Sequence, residues 1–511
     1  EFMQYFIGYD VGTSSVKCIL LDTNGTVFAT AIESYPLFTP NPGWVEQEPE
    51  DYWNAICKAT NRIIQSSNIS KENIKGIAFS TQAMGVIPVD ENGNLLYRNI
   101  SWVDGRAEEQ AVKAMKYFGG KRIFKLIAGI ELTGKDVIPK IIWLKDKHPE
   151  IYKKTHKILD VNGYLKYKCS GKMVAEWSGA CSYAFDVKKK DWERLFFKLC
   201  KIDLNKLPDL VRSIDLVGNL TPEAAFQLGL TQNTCVFGGC DDTQSAAVGT
   251  TAIGEGEAHI YVGTSAWVGV TTSKNLKFKN AAVCLQSADP KKNIVVGITE
   301  SAGINTQWVV DTYYQNEKEK LSEQDLFSLI EKEINNTNAG ADYLLMTPWF
   351  LGERCPISTT TTRSTLFNLT HQHTRGHIAR ANFEGIGFNL KWTIDNLEKD
   401  YGFRFDTLKI TGGGSKNKSW MQLIADITNR KIITTSQPVN AGAIGAAMCA
   451  MVGSGIFKDF SEINKLIQCV DTFIPNPKHT KIYNELFNIY KSVFHQLNKT
   501  YQQINKARFE S

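Results

Sequence analysis

No Cys-x-x-Cys pair, no GxGxxG or Walker A sequence, no long basic run and no proline-rich or low-complexity linker occurs in this chain of 511 residues. Each absence removes a class of explanation. The eleven cysteines are scattered and odd in number, a pattern of reduced thiols in a cytoplasmic protein, not of a disulfide framework. Charge is interspersed, 58 basic against 53 acidic residues for a net +5, and gives no reason to expect nucleic acid or a membrane as partner. No uninterrupted apolar run approaches the roughly 20 residues that span a bilayer. Glu1-Phe2 ahead of Met3 reads as a cloning remnant, and a strand expected from residue 4 onward leaves no signal peptide. The length suits two or three domains, and 43% hydrophobic with 11% aromatic residues fits a soluble globular protein.

What is present is a repeat. Val-Gly-Thr-Ser occurs at Val11–Ser14 and again at Val262–Ser265, 251 residues apart, each time between two β-rich runs. Gly followed by two hydroxyl residues at a hairpin tip can aim backbone N–H groups and hydroxyls at an anion, as phosphate-binding nests do. Two such tips, one per half, imply two similar domains gripping a polyphosphate, with a boundary near residue 250. Two ordinary hairpins that match by chance are the alternative.

The pattern around the tips is α/β. Residues 4–10, 16–22 and 26–33 read as a meander, with Asn24-Gly25 as a hairpin turn. A helix follows Glu48-Pro49, with Trp53, Ile56, Cys57, Ile63 and Ile64 on one face, and a buried strand covers 74–79. In the second half, strands are expected over 258–262, 266–272, 294–299 and up to Thr411, with helices from Asn305 and Trp420. Ile482, Leu486, Tyr490, Val493 and Leu497 mark a long amphipathic helix, which reads as core packing, with an oligomer contact as its alternative.

Four groups of residues carry possible chemistry. Asp10 stands at a strand end beside the first tip, where a carboxylate can hold Mg²⁺. Gly238-Gly239-Cys240-Asp241-Asp242 places two acids where a strand gives way to a helix. One of them could take a proton from a substrate hydroxyl, and an ordinary helix N-cap is the competing reading. Gly412-Gly413-Gly414-Ser415 lets a flat ligand approach the backbone before a helix N-terminus. Gln82, Trp102, Asp104 and Arg106 resemble a sugar site, a ring to stack on with hydroxyl partners around it. His371, His373 and His377 lack a nearby Cys or carboxylate in sequence and read as structural.

Taken together these residues resemble the FGGY carbohydrate kinases, most closely the xylulokinase-like members. The resemblance runs nearly end to end. It includes Asp10-Val-Gly-Thr-Ser14, Gly43-Trp-Val-Glu-Gln-Glu-Pro49, Trp102-Val-Asp-Gly-Arg106, Lys140-Ile-Ile-Trp-Leu144, Gly238-Gly-Cys-Asp-Asp242, Gly263-Thr-Ser265, Leu351-Gly-Glu-Arg354, Phe383-Glu-Gly385 and Gly412-Gly-Gly-Ser415. It implies two actin–hexokinase (ribonuclease H-like) α/β domains, residues 1–250 and 251–511, flanking a deep cleft. It also implies phosphorylation of a sugar hydroxyl by ATP and Mg²⁺. In the family the base stands seven residues before a Gly, which selects Asp242 ahead of Gly249. By the same matching Asp10 would assist the metal. Gly12, Thr13, Ser14, Lys17, Gly263, Thr264 and Ser265 would surround the phosphates, and Gly412, Gly413, Gly414 and Asn417 the adenosine. Gln82, Met84, Trp102, Asp104, Arg106 and Asp242 would line the sugar pocket. Xylulokinases usually carry Met-His after the glutamine, and glycerol kinases Arg-Glu; here the pair is Ala83-Met84, which bears on the sugar and not on the transfer. The partners expected are a sugar and ATP, with a homodimer allowed. An actin-like nucleotide-dependent interaction protein is the alternative of another class, and the sugar residues argue against it.

Overall fold

The computed structural model describes residues 3–505; Glu1 and Phe2 lie outside the described residues. In the first half, β1 (Tyr5–Val11), β2 (Ser15–Asp22) and β3 (Val27–Ser34) form an antiparallel meander, within one residue of expectation. Asn24-Gly25 makes the turn: Gly25 sits at φ 79°, and Asp22 Oδ1 accepts from the amides of Asn24 and Thr26, each at 2.9 Å. Helix α1 (Pro49–Ser67) packs Tyr52, Trp53, Ile56 and Ile63 inward. Strand β4 (Ile74–Thr81) then pairs parallel to β1. After α2 (Val161–Ser170), β5 (Leu216–Asn219) and β6 (Cys235–Phe237) complete the sheet in the order β5-β6-β4-β1-β2-β3. The half ends in α3 (Asp242–Gly249).

The second half repeats this plan. Strands β7 (Ala258–Val262), β8 (Ala266–Thr272), β9 (Val283–Gln286) and β10 (Asn293–Thr299) are antiparallel neighbours. Helices α4 (Gly303–Tyr313) and α5 (Arg375–Tyr401) follow. Then β11 (Thr407–Thr411) pairs parallel to β7, and after α6 (Lys418–Thr428) β12 (Lys431–Thr435) pairs parallel to β11. Past α7 (Ala441–Gly453), β13 (Cys469–Phe473) closes the edge antiparallel to β12. Three antiparallel strands in the first sheet, and four in the second, lead into two parallel ones and an antiparallel edge. The chain is two ribonuclease H-like domains flanking a cleft. Helix α8 (Thr480–Asn505) buries Tyr483, Leu486, Tyr490 and Val493 against α5 and α6, so its apolar stripe is core.

The halves exchange helices. Helix α7, from the second half, lies on the first sheet: Ala443, Ala447, Met448 and Met451 pack with Phe6, Ile19, Leu21 and Phe237. Helix α3, from the first half, lies on the second sheet, with Ala246 and Ala247 against Trp267, Ile294 and Val296. The two helices cross with no room for side chains. A Cβ at Gly445 would stand 2.0 Å from the Ser245 carbonyl oxygen, and one at Gly249 1.9 Å from that of Ala441. Because the obstacle is backbone, Gly445→Val should destabilise by about 2 kcal/mol or more, toward the upper end of overpacking costs. Urea denaturation at unchanged m-value checks it, and an unaltered midpoint would refute the crossing as drawn.

Candidate active site

Both Gly-Thr-Ser tips are hairpin turns with their hydroxyl residues toward solvent, Ser14 and Thr264 being exposed. The first is pinned from below. Gln47 Nε2 donates to Thr13 O at 2.7 Å, Gln82 Nε2 to Gly12 O at 3.2 Å, and Tyr35 OH to the carbonyls of Gly12 and Ser15 at 2.5 and 2.9 Å. The second is pinned by the start of α4: Ala302 and Ile304 amides donate to Thr264 O at 3.0 and 3.3 Å, and Gly303 to Gly263 O at 2.8 Å. A Cβ at Gly303 would meet Gly263 O at 2.5 Å, so this glycine is required for the contact.

Asp10 ends β1 half-buried, 3.8 Å from Lys17 Nζ, which also donates to Val439 O at 3.2 Å. Burial raises the Asp10 pKa, and Lys17 works against that. Gly442 at the start of α7 stands so close that a Cβ there would be 2.9 Å from the Asp10 carboxyl carbon. The positive end of α7 therefore borders the same space as the first tip.

The two acids after the glycine pair have different surroundings. Gly239 adopts φ 67°, and a Cβ there would lie 2.2 Å from Phe79 O, so the pair of glycines lets Cys240-Asp241 dock on β4. Asp241 is buried; it occupies the N-cap position of α3 without a side-chain capping bond. Its amide donates to Ser178 Oγ at 3.0 Å, and Ser178 is itself held by Glu176 through its amide and hydroxyl. Lys166, fully buried, donates to Gly238 O at 3.0 Å. Asp242 begins α3 only half-buried, its Oδ1 accepting from the Thr243 amide at 2.7 Å. Desolvation, then the neighbouring Asp10 charge, push its pKa up to about 6, the range in which a carboxylate is an effective proton acceptor near neutrality.

On the sugar side, Gln82 is buried at the end of β4 with its Oε1 left without a partner, a buried acceptor that a ligand hydroxyl would satisfy. Trp102 Nε1 donates to Thr13 Oγ1 at 3.0 Å, joining this loop to the first phosphate tip. Asp104 and Arg106 are shut away from solvent and pair with each other, Nη2 to Oδ2 at 2.7 Å. Arg106 also meets Glu46 at 2.9 Å and stacks 3.9 Å above the Trp44 ring, while Asp104 accepts from the Val45 amide at 2.5 Å. They shape the loop that carries Trp102. Met84 stands at φ 62° with its carbonyl 3.4 Å from Lys140 Nζ.

The glycine loop turns as a short 3₁₀ helix over Gly413–Lys416, with Gly412 at φ 92° against Val262 O. Gly413 and Gly414 follow it, and Gly413 has open space where a side chain would be. Asn417 Oδ1 caps α6, accepting from the Trp420 amide at 2.8 Å. The histidines serve the chain itself: His377 Nδ1 accepts from the Thr374 amide at 3.0 Å, and His373 Nδ1 from that of Thr370 at 2.9 Å. Sequence reasoning did not single out Gln47, Gly303 or Gly442 as site residues. The motif Gly43–Pro49 contained Gln47 without revealing its partner, and the others show only in three dimensions.

Among the described residues no group of three or more His, Cys, Asp or Glu could cage a metal. Asp10, close enough to Asp242 for its charge to raise that residue's pKa, fits instead a Mg²⁺ that takes one carboxylate and completes its shell with phosphates and water.

Comparison with known proteins places this geometry. Residues 5–249 match the N-terminal domain, and residues 258–454 the C-terminal domain, of the FGGY family of carbohydrate kinases. The chain is 31% identical over 495 residues to a xylulose kinase of Bacillus subtilis, covering 96% of this chain and 97% of that one. A ligand-bound xylulose kinase from Lactobacillus acidophilus superposes at TM-score 0.89, with 26% identity and coverage of 98% and 100%. A gluconate kinase from the same organism superposes at 0.88, again at 26% identity with coverage of 98% and 100%. If Asp242 is the proton acceptor, it must be ionised to work. Its raised pKa means the base is lost as pH falls through about 6. A pH profile of kcat/KM should therefore show an acidic limb near pH 6; a limb near pH 4 would contradict the burial and charge assigned to Asp242.

Proposed function

This chain belongs to the FGGY family of carbohydrate kinases, and we propose that the acceptor of its ATP-dependent transfer is a pentulose-like sugar, xylulose ahead of ribulose, in the cytoplasm. The observation that carries the proposal is Asp242. It is the accessible member of an acid pair at a helix start, and its neighbour Asp241 pairs with Thr81 at the end of β4, next to Gln82, whose oxygen has no partner. In the reaction a sugar hydroxyl oxygen attacks the γ-phosphorus in line while Asp242 takes its proton. The bond to the ADP oxygen breaks, and that oxygen keeps the electron pair. Amides and hydroxyls of the tips and the Lys17 ammonium offset the charge on the transferring group. Mg²⁺ entering with ATP would neutralise charge on the β- and γ-phosphates, with Asp10 holding it.

A second reading concerns the sugar alone. Met84 offers no hydrogen bond where xylulokinases usually present histidine, and buried polar groups left unmet dominate discrimination between sugars. Gluconate or a tetritol would then replace xylulose, in keeping with the near-equal likeness to a gluconate kinase. ADP release across D-xylulose, L-xylulose, D-ribulose, gluconate, erythritol and glycerol decides between them. A ketopentose should stimulate most, and Asp242→Asn should lose ~10²–10⁴-fold of that rate. Stimulation by gluconate alone would overturn the pentulose reading and keep the base; an active Asp242→Asn would overturn the base.

A further inference from the structure

A cation that none of the preceding chemistry uses lies beside the segment that holds the second Gly-Thr-Ser tip. Arg354 is half-buried, and its Nε lies 2.7 Å from Glu300 Oε1. Both residues are fixed by the buried Glu353, whose Oε1 accepts from the amides of Glu300 and Arg354 at 2.7 and 2.9 Å. Its Oε2 accepts from Asn389 Nδ2 on α5 at 2.8 Å. Desolvation pushes the Glu353 pKa up to about 8, and the two amide bonds work against that. Glu300 stands two residues before Ala302, the first of the three residues whose amides hold the second Gly-Thr-Ser tip. Arg354 is thus tied, through one ion pair and a few backbone bonds, to a phosphate-binding turn.

Its charge nevertheless acts across the cleft. It lowers the pKa values of Asp242 and Asp136, two carboxyls of the other half, in opposition to the larger effect of burial. Glu300 engages one edge of the guanidinium, and Arg carries five N–H donors in a rigid fork suited to phosphate oxygens. Lys17 faces the site from the first half beside Asp10, so a phosphoryl group passing from the second tip to a hydroxyl at Asp242 would run between the two cations.

We propose that Arg354 is a catalytic residue: its guanidinium, oriented by Glu300 beside the second phosphate tip, contacts the γ-phosphoryl group in flight and stabilises its charge. As the sugar oxygen bonds to phosphorus, the bond to the ADP oxygen breaks, that oxygen keeping the electron pair and Asp242 the proton. Arg354 donates hydrogen bonds to the equatorial oxygens and exchanges no atom. The inference rests on the kinase reading and not on the identity of the sugar. Hydrolysis of ATP by water crosses the same transferring geometry, so it is measurable even if every sugar in the panel fails.

The test compares wild type with Arg354→Gln and Arg354→Lys. Turnover with the best sugar, sugar-independent ATP hydrolysis, and affinity for ADP with and without aluminium fluoride are each measured. Arg354→Gln should lower both rates by ~10²–10³-fold, at or below the range for arginines that stabilise phosphoryl transfer. ADP affinity should stay within about twofold, while the extra affinity conferred by aluminium fluoride falls by the same factor as the rate. Arg354→Lys keeps the charge and loses the fork; it should lose about tenfold in rate with ADP binding intact, and it tests the inference alone if the Gln variant does not fold. Rates within about threefold of wild type, or equal losses of ADP and ADP–aluminium fluoride binding, would overturn the assignment and leave Arg354 a structural partner of Glu300.

Discussion

The crossing of α3 and α7 is the constraint on which the site depends. Gly249 and Gly445 bring the two backbones together, and Gly8 does the same between β1 and α7, where a Cβ would stand 1.8 Å from Ala443 O. Each helix belongs by sequence to one half and by packing to the other's sheet. Asp242 is the first residue of α3, and Gly442 at the start of α7 touches Asp10. One contact between helices therefore fixes Asp242, the carboxylate beside the first tip and the positive end of a helix relative to one another. Interiors packed at crystalline density transmit displacement rather than absorb it, so a small rotation between the halves at this crossing moves all three together.

Around that crossing the chemistry is a management of buried acid. Asp10, Asp241, Asp242, Glu176 and Asp160 gather near the ends of β1 and β4, and burial raises the pKa of each. The protein does not neutralise them alike. Lys166, its own pKa lowered by burial, sits behind among Asp160, Glu176 and Asp241, while Lys17 faces the phosphate space beside Asp10. The rear set grips the backbone of the turn: Lys166 at Gly238 O, Ser178 at the Asp241 amide, and Asn162 Nδ2 at Phe79 O and Cys240 O, at 3.1 and 3.4 Å. Buried polar networks are worth their desolvation only when satisfied and when they specify a geometry. Here the geometry specified is the direction of Asp242.

Local signals made the strands around the two tips legible in the sequence, while the stretch from residue 83 to 233 yielded only motifs. The tips, the Asn24-Gly25 turn and the meanders rest on residue type and turn signals, and these survive into the structure to within about a residue. Helix α7 was not legible, because Ala441–Gly453 is apolar on every face and carries no amphipathic stripe; its partner, a sheet some 200 residues or more upstream, leaves no trace in spacing. The sugar loop shows a second limit. Asp104 and Arg106 present the residue types of a sugar site, yet both side chains are spent on each other, on Glu46 and on Trp44. Only the partner of a charge decides whether it meets substrate, and a sequence does not state partners.

The same loop suggests how specificity is separated from architecture. Lys140, buried and with its pKa pushed down to about 7 by desolvation, donates to Ser101 O at 2.8 Å and reaches Met84 O at 3.4 Å. It thereby joins the turn that follows Gln82 to the strand end that leads into Trp102. Met84 is held at positive φ, which is uncommon for such a side chain. The bonds that hold it run through its carbonyl, not through its side chain. The path of the loop is thus fixed by backbone, so the side chain at position 84 can change without altering that path. Kinases of xylulose and of gluconate superpose on this chain almost equally well, at TM-scores of 0.89 and 0.88, so the shared scaffold does not by itself select the sugar.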